Sequence, residues 1–184
     1  METRASRSIL ASLVVTLACT VVAEQDVVEQ AQELAVTEIQ VLAPIGYQLN
    51  YPEGWLVATD GPVTTISQPV NGGIQIVFDA RDFAFMHELG LPREATLDDL
   101  VAFNAAFFEI SEDVEVVTTD VTVFGAPARR TQLVLGDGRA LDALQGFTDE
   151  KVFLLYASAA TEAMLAAFQA TFETIPEGLT PVAE

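Results

Sequence analysis

The sequence predicts an α+β domain, a mainly antiparallel β-sheet flanked by helices in an α/β/α sandwich. Three observations carry that expectation. Short alternating runs are joined by tight turns, of which Gly136-Asp137-Gly138 is the clearest hairpin signal. One run, Lys151–Ser158, holds Val152, Phe153, Leu154, Leu155 and Tyr156, apolar toward both faces as a central covered strand requires. Two segments, Leu97–Ile110 and Glu162–Phe172, repeat apolar residues at helical spacing and supply the covering layers.

The chain opens with Arg4 and Arg7 ahead of an apolar run, Ile9–Ala18, the layout of a secretory signal. That run is too short to cross about 30 Å of hydrocarbon as a helix. Leu17-Ala18-Cys19 follows and resembles the lipobox of bacterial lipoproteins, with residues 1–18 removed and Cys19 the lipidated first mature residue. Thr16 departs from that pattern, and Val21-Val22-Ala23 offers ordinary cleavage after Ala23 as the competing route. The only cysteine of the chain stands where the first route needs it. The protein is therefore expected outside the cytoplasm, anchored to the outer face of the cell membrane, or secreted if cleaved after Ala23. Residues 19–38, acidic, Gln-rich and free of aromatics, read as a tether.

The globular part is expected from Ile39 to Ile175. Gly46–Tyr51 alternates as a strand, Pro52-Glu53-Gly54 turns, and Trp55–Thr59 and Val63–Gln68 follow as strands. Asn71-Gly72-Gly73 turns into Ile74–Asp79, where Ile74, Ile76 and Phe78 share a face. Ala80–Glu94 reads as irregular, with a short helical turn around Phe83, Phe85, Met86 and Leu89. Thr96 and Asp99 suit the start of the Leu97–Ile110 helix. Val114–Phe124 reads as a long strand, Gly125-Ala126-Pro127 as its turn, and Ala128–Leu135 pairs with Ala140–Phe147. Thr161 caps the last helix, Pro176 ends it, and residues 176–184 read as a loose tail.

Charge narrows the function. With 27 acidic residues against 8 basic, the chain carries a formal charge of −19, which repels nucleic-acid phosphates and anionic headgroups. Nucleic acid is excluded as a partner. An apolar fraction of 51% excludes disorder over most of the length.

The strand leading into Tyr51-Pro52-Glu53-Gly54-Trp55, the helix after an irregular loop, Gly125-Ala126-Pro127 followed by Arg129, and a closing Phe-rich helix together resemble the PsbP-like superfamily. The likeness runs from Ile39 to Ile175. It implies an antiparallel sheet between helices, a role in binding or assembly rather than catalysis, and for bacterial members often a lipoprotein.

No residue pattern specifies an active site, a metal site or a cofactor. His87 is the only histidine and has no motif partner among Ser67, Ser111 and Ser158. Asp79, Asp82, Asp98, Asp99 and Asp137 lack the loop spacing of a calcium motif. Trp55 reads as packing, and Arg129-Arg130 as ion-paired side chains on opposite strand faces. The expected function is a non-enzymatic, membrane-tethered binding or assembly module with an envelope protein as partner. Its contact surface is the sheet edge or the patch Phe83, Phe85 and Met86. A small-ligand carrier and, further off, a carboxylate-dependent hydrolase are the alternatives.

Overall fold

A computed structural model describes residues 36–42, 47–69, 73–111, 113–149, 151–176 and 180–181. Seven strands form the main sheet: β3 (Leu56–Asp60), β4 (Val63–Ser67), β5 (Ile74–Asp82), β6 (Val116–Val123), β7 (Ala126–Val134), β8 (Ala140–Phe147) and β9 (Lys151–Ala159). Their order across the sheet is β3-β4-β5-β9-β8-β7-β6, and every neighbouring pair is antiparallel. A small sheet joins β1 (Val36–Leu42), β2 (Tyr47–Pro52) and the short β10 (Thr180–Pro181), with β2 in the middle. The helices are α1 (Phe83–Glu88), α2 (Leu97–Phe107) and α3 (Glu162–Thr174).

Connectivity places the layers. β5 lies centrally, and the chain leaves it through α1 and α2 to reach the far edge at β6. It then meanders back through β7 and β8 to lay β9 beside β5, and α3 crosses the other face. The α3 face buries Ile74, Ile76 and Phe78 of β5 and Phe153, Leu155 and Ala157 of β9. Phe168 and Phe172 of α3 and Tyr47, Leu49 and Tyr51 of β2 cover them. Phe78, Phe153, Phe168 and Phe172 are almost fully buried, each contributing about 1.5–3 kcal/mol of hydrophobic stabilisation. On the opposite face Met86, Leu91, Leu100 and Val152 form a smaller core under α1 and α2. Period-two alternation on β9 serves both cores at once, so the α/β/α sandwich and the central, doubly covered strand stand as expected.

Several element bounds shift by a residue or more, and four details differ in kind from the sequence reading. β5 continues to Asp82 because β9 offers partners as far as Lys151, so the irregular stretch starts later than Ala80. The turn after β6 is Phe124-Gly125, both with positive φ (57° and 75°), while Ala126 and Pro127 already belong to β7. That is the two-residue turn matched to strand twist, and Phe124 tolerates it because its ring packs on Phe153 at 5.1 Å. The third difference is β1, which starts at Val36 inside the segment read as tether and gives one edge of β2 its hydrogen-bond partner. In the fourth, Thr180-Pro181, read as loose tail, pairs with Tyr47-Gln48 on the other edge. Gln68 falls outside β4, and the signal segment, Cys19 and Asn71-Gly72 lie outside the described residues.

Candidate functional site

A cleft opens over β5 and β9 between α1, which packs on those two strands, and α2, which packs on β7 and β8. Thr96 starts α2 through a capping box: its hydroxyl accepts from the Asp99 backbone N–H while the Asp99 carboxylate accepts from the Thr96 N–H. Leu100 anchors the helix in the sheet. The helix ends at Phe107, not Ile110, because Glu109 turns left-handed (φ 54°). The Ile110 N–H then bonds to the Ala105 carbonyl and the Glu109 N–H to that of Ala106. This paired closure is a Schellman motif. α1 is fixed by Met86 and by a 2.8 Å hydrogen bond between His87 Nδ1 and the Leu91 carbonyl.

The walls are Met86 of α1 and Leu89 just after it, and Phe103 and Phe107 of α2 and Phe108 just after it; Val152 and Leu154 floor the cleft. It encloses ≈ 50 Å³, room for water rather than for a drug-sized ligand of about 300–1,000 Å³. Asp79 and Arg81 of β5 line one side, with Arg81 Nε donating to both Asp79 oxygens at 2.8 Å. Burial raises the Asp79 carboxyl above the ordinary range, since desolvation outweighs its bond and attraction to Arg81. Tyr156 is pushed up to about 12 by burial and by the Asp79 charge. The Arg81 guanidinium also lies 5.1 Å from the Phe85 ring centre, a cation–π contact that links Phe85 to the cleft.

The three residues expected as a contact patch separate. Phe85 is 40% exposed, Met86 is buried at 7%, and Phe83 stacks between Phe147 and His87. The exposed aromatics that line the cleft come instead from the end of α2: Phe107 at 48% and Phe108 at 44%. Both fall in the Leu97–Ile110 segment, whose helical spacing assigns its apolar residues to the covering layer. The early end of the helix frees them, and Phe108 holds Tyr156 edge-on at 5.9 Å.

The remaining candidates have structural partners. Trp55 is buried and stacked on Phe168 at 5.4 Å. Asp82, Asp98 and Asp137 pair with Lys151, Arg129 and Arg139, while Asp99 serves the α2 cap. Among the described residues no three His, Cys, Asp or Glu side chains gather in a geometry that holds a metal. Nor is any described helix long and apolar enough to cross a membrane.

Arg129 and Arg130 do part to opposite faces. Arg129 bonds Asp98 and Asp120, each at 2.7 Å. Arg130 reaches Asp142 at 2.5 Å and Glu173 at 3.0 Å under α3. Those bonds, that to Asp142 first, raise the Arg130 pKa further, and Glu173 is lowered by bonds from Gln169 and Arg130. Sequence reasoning had not found Asp142: it sits in an alternating apolar strand with nothing to mark it.

No protein-family model matches the sequence, and no curated protein is similar to it. Solved structures are. Cyanobacterial PsbP from Synechocystis superposes with a TM-score of 0.54 at 15% identity, covering 81% of this chain and 95% of its own. The Ran-binding protein Mog1p of Saccharomyces cerevisiae gives 0.56 at 7% identity, covering 80% and 97%. The fold is PsbP-like. A protein of Bacteroides thetaiotaomicron adds a TM-score of 0.51 at 11% identity, this domain matching half of that chain (50%). Identities this low speak for the PsbP-like architecture alone. The expectation drawn from Tyr51-Pro52-Glu53-Gly54-Trp55 and the element order is met at that level.

Proposed function

We propose that this chain is a non-enzymatic protein-binding module, held outside the cytoplasm by lipid on Cys19, whose partner docks on the aromatic rim of the α1–α2 cleft. The observation that carries the reading is the exposure of Phe107 and Phe108 on one apolar cleft, with Phe85, also exposed, stacked on Arg81 of its wall. Buried aromatic anchors dominate protein interfaces, and three large rings each 40–48% exposed offer such anchors. The architecture supports it, since Mog1p, on the same fold, is a Ran-binding protein. Two acids, part-buried Asp79 and buried Asp142, stand on opposite faces of the sheet, each against an arginine. A hydrolytic carboxylate pair needs two acids facing one substrate. The anchor rests on Arg4, Arg7, the run Ile9–Ala18 and Cys19.

The test is crosslinking in native cells followed by mass spectrometry, on the natural chain, on Phe107→Ser/Phe108→Ser and on Cys19→Ser. The double substitution is expected to lose a stoichiometric envelope partner while the protein stays folded and membrane-bound. Cys19→Ser is expected to move the protein to the soluble fraction. A partner retained by the double variant discards the cleft, and an unchanged membrane fraction for Cys19→Ser discards the anchor.

A further inference from the structure

The main sheet has two edges of different character. β3 is 5 residues long, with Pro62 just beyond it. β6 is 8 residues long, has no proline or lysine, and pairs with β7 without a register break. Proteins blunt such edges with short length, lysine, proline or bulges, because unpaired N–H and C=O groups template another strand. β6 has none of these devices. It is rich in β-branched residues, and Val117 is 50% exposed.

The hairpin turn tells which backbone groups of β6 have no strand partner among the described residues. A two-residue turn closes on a pair that exchanges both N–H···O bonds, here Val123 with Ala126. Alternation then directs Val121, Thr119 and Val117 to β7 and leaves Thr122, Asp120, Thr118 and Val116 aimed at the open side. Pro127, opposite Thr122, fits that register, since a residue there gives no N–H to β6.

The side chains along this edge carry one sign. A trough of ≈ 460 Å³ lies between β6, β7 and α3, with Glu115 and Val117 on the strand side and Glu162 and Leu165 on the helix side. The nearby cations, Arg129 and Arg130, are already bonded to Asp98, Asp120, Asp142 and Glu173. We infer that β6 accepts an extended basic segment of a partner protein as an added strand, with alternate lysines or arginines over the trough facing Glu115 and Glu162. Main-chain bonds supply the affinity in this mode and alternate side chains the selectivity. A second copy is the poorer occupant, because two chains of charge −19 repel. This surface is separate from the aromatic cleft, and either stands without the other.

The probe is a short peptide alternating lysine and threonine, titrated into the isotope-labelled full-length chain and followed by amide NMR. Its glutamate counterpart is the control. The lysine peptide is expected to shift the amides of Val116, Thr118, Asp120 and Thr122, and to bind more weakly as salt rises. Thr118→Pro removes an outward N–H but no bond to β7, and is expected to abolish binding. Glu115→Lys, which leaves the backbone untouched, is expected to weaken binding by about tenfold, and it decides alone if Thr118→Pro does not fold. Absence of binding, shifts centred on α1 and α2, or full affinity in Glu115→Lys overturns the inference. So does self-association of the protein that Thr118→Pro abolishes, which names a second copy as the occupant.

Discussion

Arg129 and Arg130 are sequence neighbours on one strand, and alternation sends them to opposite faces, where each finds carboxylates. The two pairings are not equivalent. Asp98 and Asp120 are exposed, so the Arg129 pairs are screened by water and contribute little. Asp142 is 1% exposed and also accepts from Gln132 at 3.0 Å, so its charge depends on Arg130. Asp142→Ala leaves a largely buried guanidinium with only Glu173, and is expected to cost about 3 kcal/mol. Asp120→Ala is expected to cost under about 1 kcal/mol. Urea denaturation of both variants checks the contrast, and equal losses would mean that burial does not set the value of these pairs. The opposite-face pairing of the arginines was legible, because period-two alternation is written in the sequence. The burial of Asp142 was not, because it depends on which helix crosses above. The same limit explains the aromatic site: Phe85 was legible as a loop residue among apolar neighbours, whereas Phe107 and Phe108 look like core until the end of α2 is known.

Elements with a chemical signature at their ends were read well. Thr96 with Asp99, Thr161, and Gly136-Asp137-Gly138 lie where side-chain capping and turn geometry require them. Two ends without such a signature were misplaced, and both use a left-handed residue that is not glycine. Phe124 holds the first position of the β6–β7 turn because its ring is needed against Phe153 and Tyr47. Glu109 holds the closing position of α2 although no ring contact requires it there. A non-glycine residue in that conformation costs roughly 1–2 kcal/mol, less what glycine loses in unfolded-chain entropy. Glu109→Gly is therefore expected to stabilise the protein by about 1 kcal/mol. Thermal unfolding checks this; a lower Tm would show that the Glu109 side chain contributes more than its backbone costs. The corresponding Phe124→Gly is expected to go the other way, since relief of the turn does not replace the lost core ring.

At the scale of the whole molecule, charge is the term that the fold leaves unbalanced. Arg81, Arg129, Arg130, Arg139 and Lys151 are each engaged by a carboxylate. With 27 acids against 8 bases, most carboxylates have no cation to meet and repel one another across the surface. Added monovalent salt weakens attraction and repulsion together, but the buried Arg130–Asp142 pair is screened least and the exposed surplus most. Folding is thus expected to strengthen from low salt to about 0.3 M sodium chloride, since the screening length is about 10 Å at 0.1 M and shorter above it. A gain of about 1 kcal/mol would raise Tm by roughly 2–4 °C for a chain of this size. Binding of a basic strand at β6 responds with the opposite sign, because there the charges attract. One salt series, read once by melting and once by peptide affinity, therefore separates the two effects. A Tm that falls with salt would mean that the ion pairs, not the excess carboxylates, govern the electrostatics of folding. An affinity indifferent to salt would mean that Glu115 and Glu162 take no part in recognition at β6.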